Sequence, residues 1–272
     1  SSIRRELTRD GIEAFQEARH PLRVRAFRAV QRAYSRLAST VIVPSSYVGQ
    51  LVKGWGISES KIRVVQNALT ETPLVEHTRD EAKRELGLNG PVVCTVARLY
   101  AWKRVDDLID MVPAFAKSAT LVVVGDGPEQ NVLERCARDL GVIDRVHFVG
   151  RVAHEDVPMY LRAADVFVLN TAYEGLSHTL IETRTIGTPI VTTDIGGNRE
   201  ILTNEENALL VPFGDSESFV AAVNRVLNDP ALGERLSGIA STNLSHFAWD
   251  RLVDETMQIL LNVTRCNGHP KA

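Results

Sequence analysis

The sequence predicts an α/β protein whose main domain is a doubly wound parallel sheet. From residue 91 onward, short β-branched runs alternate with segments of helical periodicity. The runs are almost continuously apolar, which is typical of parallel strands that are buried on both faces. Six strands are predicted in this order: VVCTVA, TLVVVG, RVHFVG, DVFVLN, PIVTTD and ALLVPF. Helices are therefore expected on both faces of one sheet.

The segments between these strands have the periodicity of helices that pack on a sheet. One stripe of i, i+3, i+4, i+7 spacing comprises Val157, Tyr160, Leu161 and Ala164. Pro128 is expected at the first position of the helix after the second strand, a position that proline favours. After Pro212 the strand pattern stops, and two or three helices are predicted, with Pro230 opening one and Trp249 inside the next.

The part before residue 91 is expected to belong to another domain. An Arg-rich helix is predicted from Leu22 to Ala38, followed by the strand TVIVPS, a helix and the strand IRVVQN. Because these elements are too few for a domain and the chain begins with Ser1, we expect a part of a longer protein. The predicted divisions are 1–66 (remnant of an N-terminal α/β domain), 67–90 (linker and first helix), 91–245 (main domain) and 246–272 (C-terminal helix and tail).

Composition narrows the function classes. The 272 residues are 44% apolar and 24% charged, with a net charge of −3, so nucleic acid is not an expected partner. The three cysteines are far apart and lack metal-binding spacing, which favours a reducing compartment such as the cytoplasm. No apolar run approaches the roughly 18 residues that indicate a membrane span.

Two glutamates stand near the end of the fourth strand. Glu174 follows DVFVLN, and Glu182 lies in the helix HTLIETRTIG, which Gly187 is expected to end. Loops at the carboxyl ends of parallel strands bind ligands in doubly wound folds, and the amides of a first helical turn attract anions. We therefore expect a diphosphate at Gly175, Leu176 and Ser177, with the two carboxylates accepting hydrogen bonds from sugar hydroxyls on either side. The alternative is a solvated loop glutamate and a surface helix glutamate.

Two cations follow the first strand of the main domain. Arg98 comes directly after TVA, and Lys103 is expected to open the next helix. Placed at the carboxyl end of a strand, they are suited to neutralise a diphosphate leaving group without a metal. Taken singly, each is equally well explained as a surface residue of the loop.

Glycines mark three further strand ends. Gly125 and Gly127 in VVVGDGPEQ permit a tight turn beside a ligand, but they lack the spacing of a dinucleotide fingerprint. Arg151, after Gly150 in HFVGRV, lies where backbone groups either face a base or form an ordinary turn. The paired glycines of TTDIGGNREI suit a turn or a domain interface.

Together these stretches resemble a known family. In order, VARLYAWKRVDDLI, VVVGDGPE, FVGRV, ADVFVLNTAYEGLSHTLIE and TDIGGNREI are similar to the C-terminal donor-binding domain of retaining glycosyltransferases of the GT-B fold, family four (glycosyl transferases group 1). The most specific element is E-x7-E, from Glu174 to Glu182. The resemblance implies that Arg98 and Lys103 contact the donor diphosphate, that Glu174 faces the donor sugar and that Glu182 holds the ribose.

The resemblance also implies which substrates bind and which part of such an enzyme this sequence does not contain. A nucleoside-diphosphate sugar is the expected donor, a saccharide or a lipid-linked molecule the expected acceptor, and no metal or other cofactor is expected. The stretch from residue 41 to 69 resembles the end of the N-terminal domain of such enzymes, and HFAWDRLVDETMQIL resembles their terminal crossing helix. Most of the acceptor-side domain is not represented, so the isolated chain is expected to be inactive. Two alternatives stay open: a non-catalytic subunit that needs a partner chain, and a sugar-nucleotide epimerase.

One residue, His178, and one helix remain open to two interpretations. His178 either contacts the donor phosphate or caps the turn, whereas His154 is expected at the surface and Cys94 is expected to be buried and inert. The Arg-rich helix either packs on a sheet or lies on anionic lipid, which would place the protein at the inner face of a membrane.

Overall fold

Two parallel sheets form the framework of the protein. The computed structural model describes residues 12, 15, 16, 18–70, 75–242 and 244–267. The strands are β1 (Val41–Val43), β2 (Ile62–Val64), β3 (Val92–Val96), β4 (Thr120–Val124), β5 (Val146–Gly150), β6 (Val166–Leu169), β7 (Ile190–Thr193) and β8 (Leu209–Val211). The first two strands pair with each other, and the other six form one sheet in the order β5-β4-β3-β6-β7-β8. The predicted strands and the predicted fold class are confirmed.

The helices alternate with the strands. They are α1 (Leu22–Leu37), α2 (Ser46–Lys53), α3 (Arg79–Glu85), α4 (Val105–Met111), α5 (Gln130–Asp139), α6 (Val157–Ala163), α7 (His178–Ile186), α8 (Asn198–Ile201), α9 (Ser216–Asn228), α10 (Pro230–Ala240) and α11 (Trp249–Asn267). Pro230 opens α10 as predicted. Trp249 is the first residue of α11 rather than an interior one, and Pro128 lies in the turn before α5.

The six-stranded sheet is covered on both faces. Alternate residues of β3 belong to different apolar clusters: Val93 packs with residues of α4 and α9, and Val92 and Cys94 pack with residues of α3 and α6. Because side chains alternate between the faces of a strand, this division shows helices on both sides. Burial raises the pKa of the Cys94 thiol to about 12, so this cysteine is inert, as predicted.

The chain divides into two compact units. One takes in Thr72–Thr242 and contains the six-stranded sheet, and the other takes in Gln16–Glu71 together with Asn243–Ala272 and contains β1 and β2. The second unit has a small apolar cluster of its own around Val43, Val52 and Ile57. The finer domain divisions given above stay a prediction.

The predicted Arg-rich helix is present as α1, and none of its side chains is buried. A guanidinium contact fixes its end within the second unit, because Arg36 donates to the carbonyl of Trp55 at 2.7 and 2.9 Å. Four apolar side chains on one stripe are exposed: Phe27, Val30, Tyr34 and Leu37. Among the helices of the described residues, none is long and apolar enough to cross a membrane.

Candidate functional site

The candidate site lies where the sheet changes winding direction. β3 is hydrogen-bonded to β4 on one side and to β6 on the other, so the chain builds outward from the centre in both directions. At such a switch point the loops after the two central strands diverge, and the carboxyl ends of the strands open into a crevice. Lys103 follows β3 and Glu174 follows β6, so both predicted residues lie at this crevice.

Lys103 and Glu174 form an ion pair across the switch point. The ammonium of Lys103 donates to Oε1 of Glu174, and the two side chains are 17% and 11% exposed. Lys103 does not open a helix as the sequence predicts; it ends a short 3-10 turn, and α4 begins at Val105 after Arg104 in a left-handed conformation. Since Glu174 is already paired, a bound anion would share the Lys103 cation with this carboxylate.

Backbone contacts hold these two loops together. The carbonyl of Trp102, next to Lys103, accepts hydrogen bonds from the Ala172 amide at 2.8 Å and from the Thr171 hydroxyl at 3.2 Å. The Trp102 ring stacks on the ring of Tyr100 with centroids 4.4 Å apart, and the Arg98 guanidinium lies 5.9 Å from the Tyr100 centroid. The loop after β3 is therefore a fixed platform, with Arg98 exposed at its start.

The glycines after β4 allow the loop after β3 and the loop after β4 to approach each other closely. A Cβ on Gly125 would lie 2.0 Å from the carbonyl oxygen of Ala97, and a Cβ on Gly127 would lie 2.5 Å from that of Leu99. Gly125 also has a φ of +126°, which L side chains rarely adopt. These two glycines are therefore required for loop packing, and their predicted contact with a donor stays a prediction.

The paired glycines after β7 have the same function for the loop after β6. The amide of Gly197 donates to the carbonyl of Glu174 at 3.0 Å, and a Cβ on Gly197 would lie 2.0 Å from the carbonyl oxygen of Gly175. Of the two interpretations left open by the sequence, the structure supports a tight turn. This turn fixes the backbone of Glu174 through the hydrogen bond from the Gly197 amide.

Helix α7 brings Glu182 to the site. Ser177 caps the helix by accepting from the Leu180 amide at 3.4 Å, and Gly187 ends it with a φ of +78°. Leu176 and Ser177 are buried, and the first turn presents amides that lack intrahelical acceptors, as the predicted anion site requires. Glu182 is buried, with 7% of its surface exposed, which excludes the surface-residue alternative.

The protonation of Glu182 reflects that burial. Burial raises the pKa of its carboxyl group above the ordinary value of 4.5, and the positive charge of His154 opposes this shift. Nε2 of His154 lies 3.5 Å from Oε1 of Glu182, although the imidazole itself is 81% exposed. The sequence predicts His154 as a surface residue, which is confirmed, but its contact with Glu182 was not predicted. Partial desolvation, and to a smaller extent the charge of His154, lower the pKa of His178.

An open cleft adjoins these groups at the ends of β3, β4 and β5. It has a volume of about 400 Å³ and is lined by the predicted residues Arg98, Gly125 and Arg151, and also by Asp126 and Thr179. Thr179 was not predicted as a site residue. It lies three residues before Glu182 on α7, and this i, i+3 spacing could have indicated that both side chains lie on the same face of the helix. The other predicted residues are not among the lining residues: Gly127, Glu182, the Lys103–Glu174 pair, and the stretch Gly175, Leu176 and Ser177. The predicted set therefore divides into residues that line this cleft, the Lys103–Glu174 pair, and a remainder that belongs to neither.

Metal binding has no visible basis in the described part of the chain. Its residues contain no group of three or more His, Cys, Asp or Glu side chains that could hold an ion.

Fold and site together define a class. A six-stranded parallel sheet that winds outward from β3 in both directions, with charged groups and a helix N-terminus at its switch point, is the architecture of nucleotide-binding α/β domains. The particular family follows from the sequence. The chain belongs to the glycosyl transferases group 1, because the sequence model of that family matches residues 77–242. The family resemblance is thereby confirmed, and the similarity to a solved structure given next confirms the GT-B fold.

Several known proteins are similar to this chain. The lipopolysaccharide core biosynthesis glycosyltransferase LpsE of Rhizobium meliloti is 32% identical over 231 residues, covering 84% of this chain and 66% of that protein. The solved sucrose-phosphate synthase of Thermosynechococcus elongatus is 25% identical, with a TM-score of 0.81, covering 95% of this chain and 67% of that one. The structure of Anabaena HepE in complex with UDP-glucose is 24% identical, with a TM-score of 0.79 and coverage of 88% and 68%. The chain spans 66% or less of the length of the first curated relatives that it matches.

Proposed function

We propose that this chain provides the donor side of a retaining, metal-independent glycosyltransferase that uses a nucleoside-diphosphate sugar. The observation that carries this proposal is the Lys103–Glu174 ion pair at the switch point, with the buried Glu182 on the adjoining helix. A buried carboxylate that retains acceptor capacity is suited to hydroxyl groups, which donate hydrogen bonds and bring no negative charge.

The parts of the donor are assigned by chemistry. The diphosphate lies at Gly175, Leu176 and Ser177, where the first turn of α7 and the positive end of its dipole face it. Lys103 and Arg98 supply positive charge for the departing diphosphate, and such preorganised charge is usually the largest single contribution to catalysis. The bond between the anomeric carbon and the diphosphate oxygen breaks, the acceptor oxygen bonds to that carbon from the same face, and the acceptor proton passes to the departing nucleoside diphosphate.

The nucleoside is assigned to the cleft beside α7. A volume of about 400 Å³ lies within the usual range of roughly 300–1,000 Å³ for small-molecule sites. Glu182 accepts from the ribose hydroxyls, and the backbone at Arg151 lies beside the base. The HepE complex makes UDP-glucose the first donor to test.

The acceptor is assigned to the saccharide or lipid-linked class. The lipopolysaccharide core enzymes among the relatives support a saccharide or lipid-linked acceptor. The apolar stripe on α1 and its five arginines fit a helix that lies on anionic lipid, which favours a cytoplasmic protein at the membrane surface.

We expect the 272-residue chain alone to bind donor without transferring sugar. In the second unit, an apolar stripe of α11 is exposed at Trp249, Val253, Met257, Leu260 and Leu261. Exposed apolar stripes of this kind mark interaction sites, so this observation favours a larger acceptor-side domain or, as a second candidate, a donor-binding subunit that needs a partner chain. An epimerase would instead release free products without an acceptor, and a turnover assay without acceptor would detect them.

Thermal unfolding with nucleotides tests the proposal. UDP, GDP, ADP and dTDP are added separately to the wild-type chain, to Glu182→Ala and to Glu206→Ala, whose exposed carboxylate lies outside the site. A ligand at 100 times its Kd adds about 2.7 kcal/mol of stability, a shift of a few degrees in Tm. We expect one nucleotide to raise the Tm of wild type and Glu206→Ala and to have a weaker effect on Glu182→Ala. If none of the four shifts the wild type at millimolar concentration, the assignment of the site is wrong.

A further inference from the structure

His154 occupies an unusual position for an exposed residue. It lies in the 3-10 turn that follows β5 and precedes α6, and its Nε2 is 3.5 Å from Oε1 of Glu182 on α7. Its side chain is 81% exposed, whereas that of Glu182 is 10% exposed. An exposed imidazole thus covers one oxygen of a buried carboxylate.

The two oxygens of Glu182 therefore have different environments. Oε1 is the oxygen that lies 3.5 Å from Nε2 of His154. A carboxylate has about four acceptor sites, so Oε2 and the remaining lone pair of Oε1 are sufficient for a vicinal pair of hydroxyls. The contact with His154 need not be broken when a ribose binds.

The negative charge of Glu182 also affects how strongly the donor binds. Since a nucleoside-diphosphate sugar is anionic, a buried negative charge beside it raises the free energy of the complex. An imidazolium on Oε1 neutralises that charge without occupying the cleft.

We propose that His154 is a positioning residue for the donor ribose: its imidazolium holds Glu182 ionised and oriented, and offsets the negative charge that the donor diphosphate meets. This inference rests on the proposed function, and it extends that function to a residue outside the E-x7-E element. Histidine changes its charge between about pH 5 and 8, so the affinity for a donor depends on pH in this range.

Other titratable or charged residues are neighbours of His154 in the chain or lie at the start of α7. Glu155 and Asp156 share the turn with His154, Arg151 precedes it, and His178 opens α7. Partial desolvation and the charge of His154 lower the pKa of His178, so His178 stays neutral to a lower pH than an ordinary imidazole. A variant of His178 is therefore needed to separate the two histidines.

The test is isothermal titration calorimetry with UDP-glucose between pH 6 and 8. UDP-glucose is preferred over UDP because it lacks the terminal phosphate, whose second ionisation falls near pH 6 as in other phosphate monoesters. If UDP-glucose does not bind, ADP-glucose and GDP-mannose replace it. The chains compared are wild type, His154→Gln, His154→Lys, His178→Gln and Glu182→Gln.

We expect the wild-type affinity to rise about two- to fivefold from pH 8 to pH 6.5, the size of an exposed ion-pair effect. His154→Gln should bind at the weaker level throughout, His154→Lys at the stronger level throughout, and His178→Gln like the wild type. A wild-type pH profile in His154→Gln, with weakened binding in Glu182→Gln, would overturn the inference and leave the proposed function intact. If no nucleotide sugar binds the wild type, both are wrong.

Discussion

The ammonium of Lys103 donates a hydrogen bond to Oε1 of Glu174, which lies 71 residues further along the chain. This contact joins the loops after the two central strands and is only partly accessible to water. Breaking such a pair by removing one partner leaves an uncompensated charge, whereas removing both does not. Its contribution can therefore be measured by a double-mutant cycle.

We expect Lys103→Met and Glu174→Gln each to lower the free energy of unfolding by about 1–3 kcal/mol, and the double variant to lose less than the sum. Urea denaturation at pH 7.5 gives these values. The exposed pair Arg199–Asp194, with side chains 62% and 36% exposed, is the matched control, and its coupling should stay below about 1 kcal/mol. Strictly additive losses at Lys103 and Glu174 would contradict the ion pair.

Glu182→Gln is expected to stabilise the ligand-free chain while weakening nucleotide binding. Burial raises the pKa of the Glu182 carboxyl group in the native state above its ordinary value of 4.5. In the interval between the ordinary pKa and the raised pKa, the native state therefore binds more protons than the unfolded state. The free energy of unfolding of the wild type therefore falls as pH rises through the interval, and the ionised group lowers stability at neutral pH. The neutral amide of the Glu182→Gln variant carries no such charge.

Thermal unfolding from pH 4 to 8 measures this difference. The Tm of Glu182→Gln should exceed that of the wild type at pH 8, and the two should converge as the pH falls below the ordinary value of a glutamate. The exposed Glu206 provides the comparison, since Glu206→Gln should follow the wild type over the whole range. A lower Tm for Glu182→Gln at pH 8 would show that the ionised carboxylate is stabilising.

Gly197→Ala is expected to displace the backbone of Glu174. The added Cβ would lie 2.0 Å from the carbonyl oxygen of Gly175, and a backbone shift that relieves this clash would disturb the 3.0 Å hydrogen bond from the Gly197 amide to the Glu174 carbonyl. We expect a loss of stability of about 2 kcal/mol or more and a loss of nucleotide binding. Gly238→Ala is the control: nothing lies within 4 Å of its Cβ position in α10, so it should stabilise by about 0.5–1 kcal/mol. Equal effects would contradict the close approach.

Arg184 links α7 by hydrogen bonds to the ends of α8 and α10. Its buried guanidinium donates to the carbonyls of Ala240, Ile201 and Thr242 at 2.8, 3.0 and 3.2 Å. Arg184→Met removes these donors and leaves carbonyls unsatisfied, and we expect a loss of about 2–4 kcal/mol in urea denaturation. Arg184→Lys, which cannot reproduce the planar fork, should recover only part of that loss. Full recovery by lysine would show that charge alone is sufficient.

The sequence was sufficient to predict the sheet and to predict which residues lie at the carboxyl ends of its strands. Near-continuous apolar runs such as those of β3 and β4 fit few structures other than buried parallel strands. Residues at the carboxyl ends of parallel strands must meet at one edge of the sheet. Arg98, Gly125 and Arg151, far apart in the chain, consequently line one cleft. Family membership followed from the order of the same stretches.

The contacts within the site could not be predicted from the sequence. The pairing of Lys103 with Glu174 and the contact of His154 with Glu182 depend on loop conformations that the left-handed Arg104 and the turn after β5 determine. The requirement for Gly125 and Gly127 arises from the backbone of a different loop. Such long-range contacts leave no periodic pattern in the chain.

The loops after β3 and β4 touch through main-chain atoms at Gly125 and Gly127, and the loops after β6 and β7 touch at Gly197. Their shape is therefore largely independent of the side chains that face the cleft. A protein built this way is suited to engineering of its substrate range: positions such as Arg151 and Thr179 can be randomised while the scaffold that aligns the charged groups is retained.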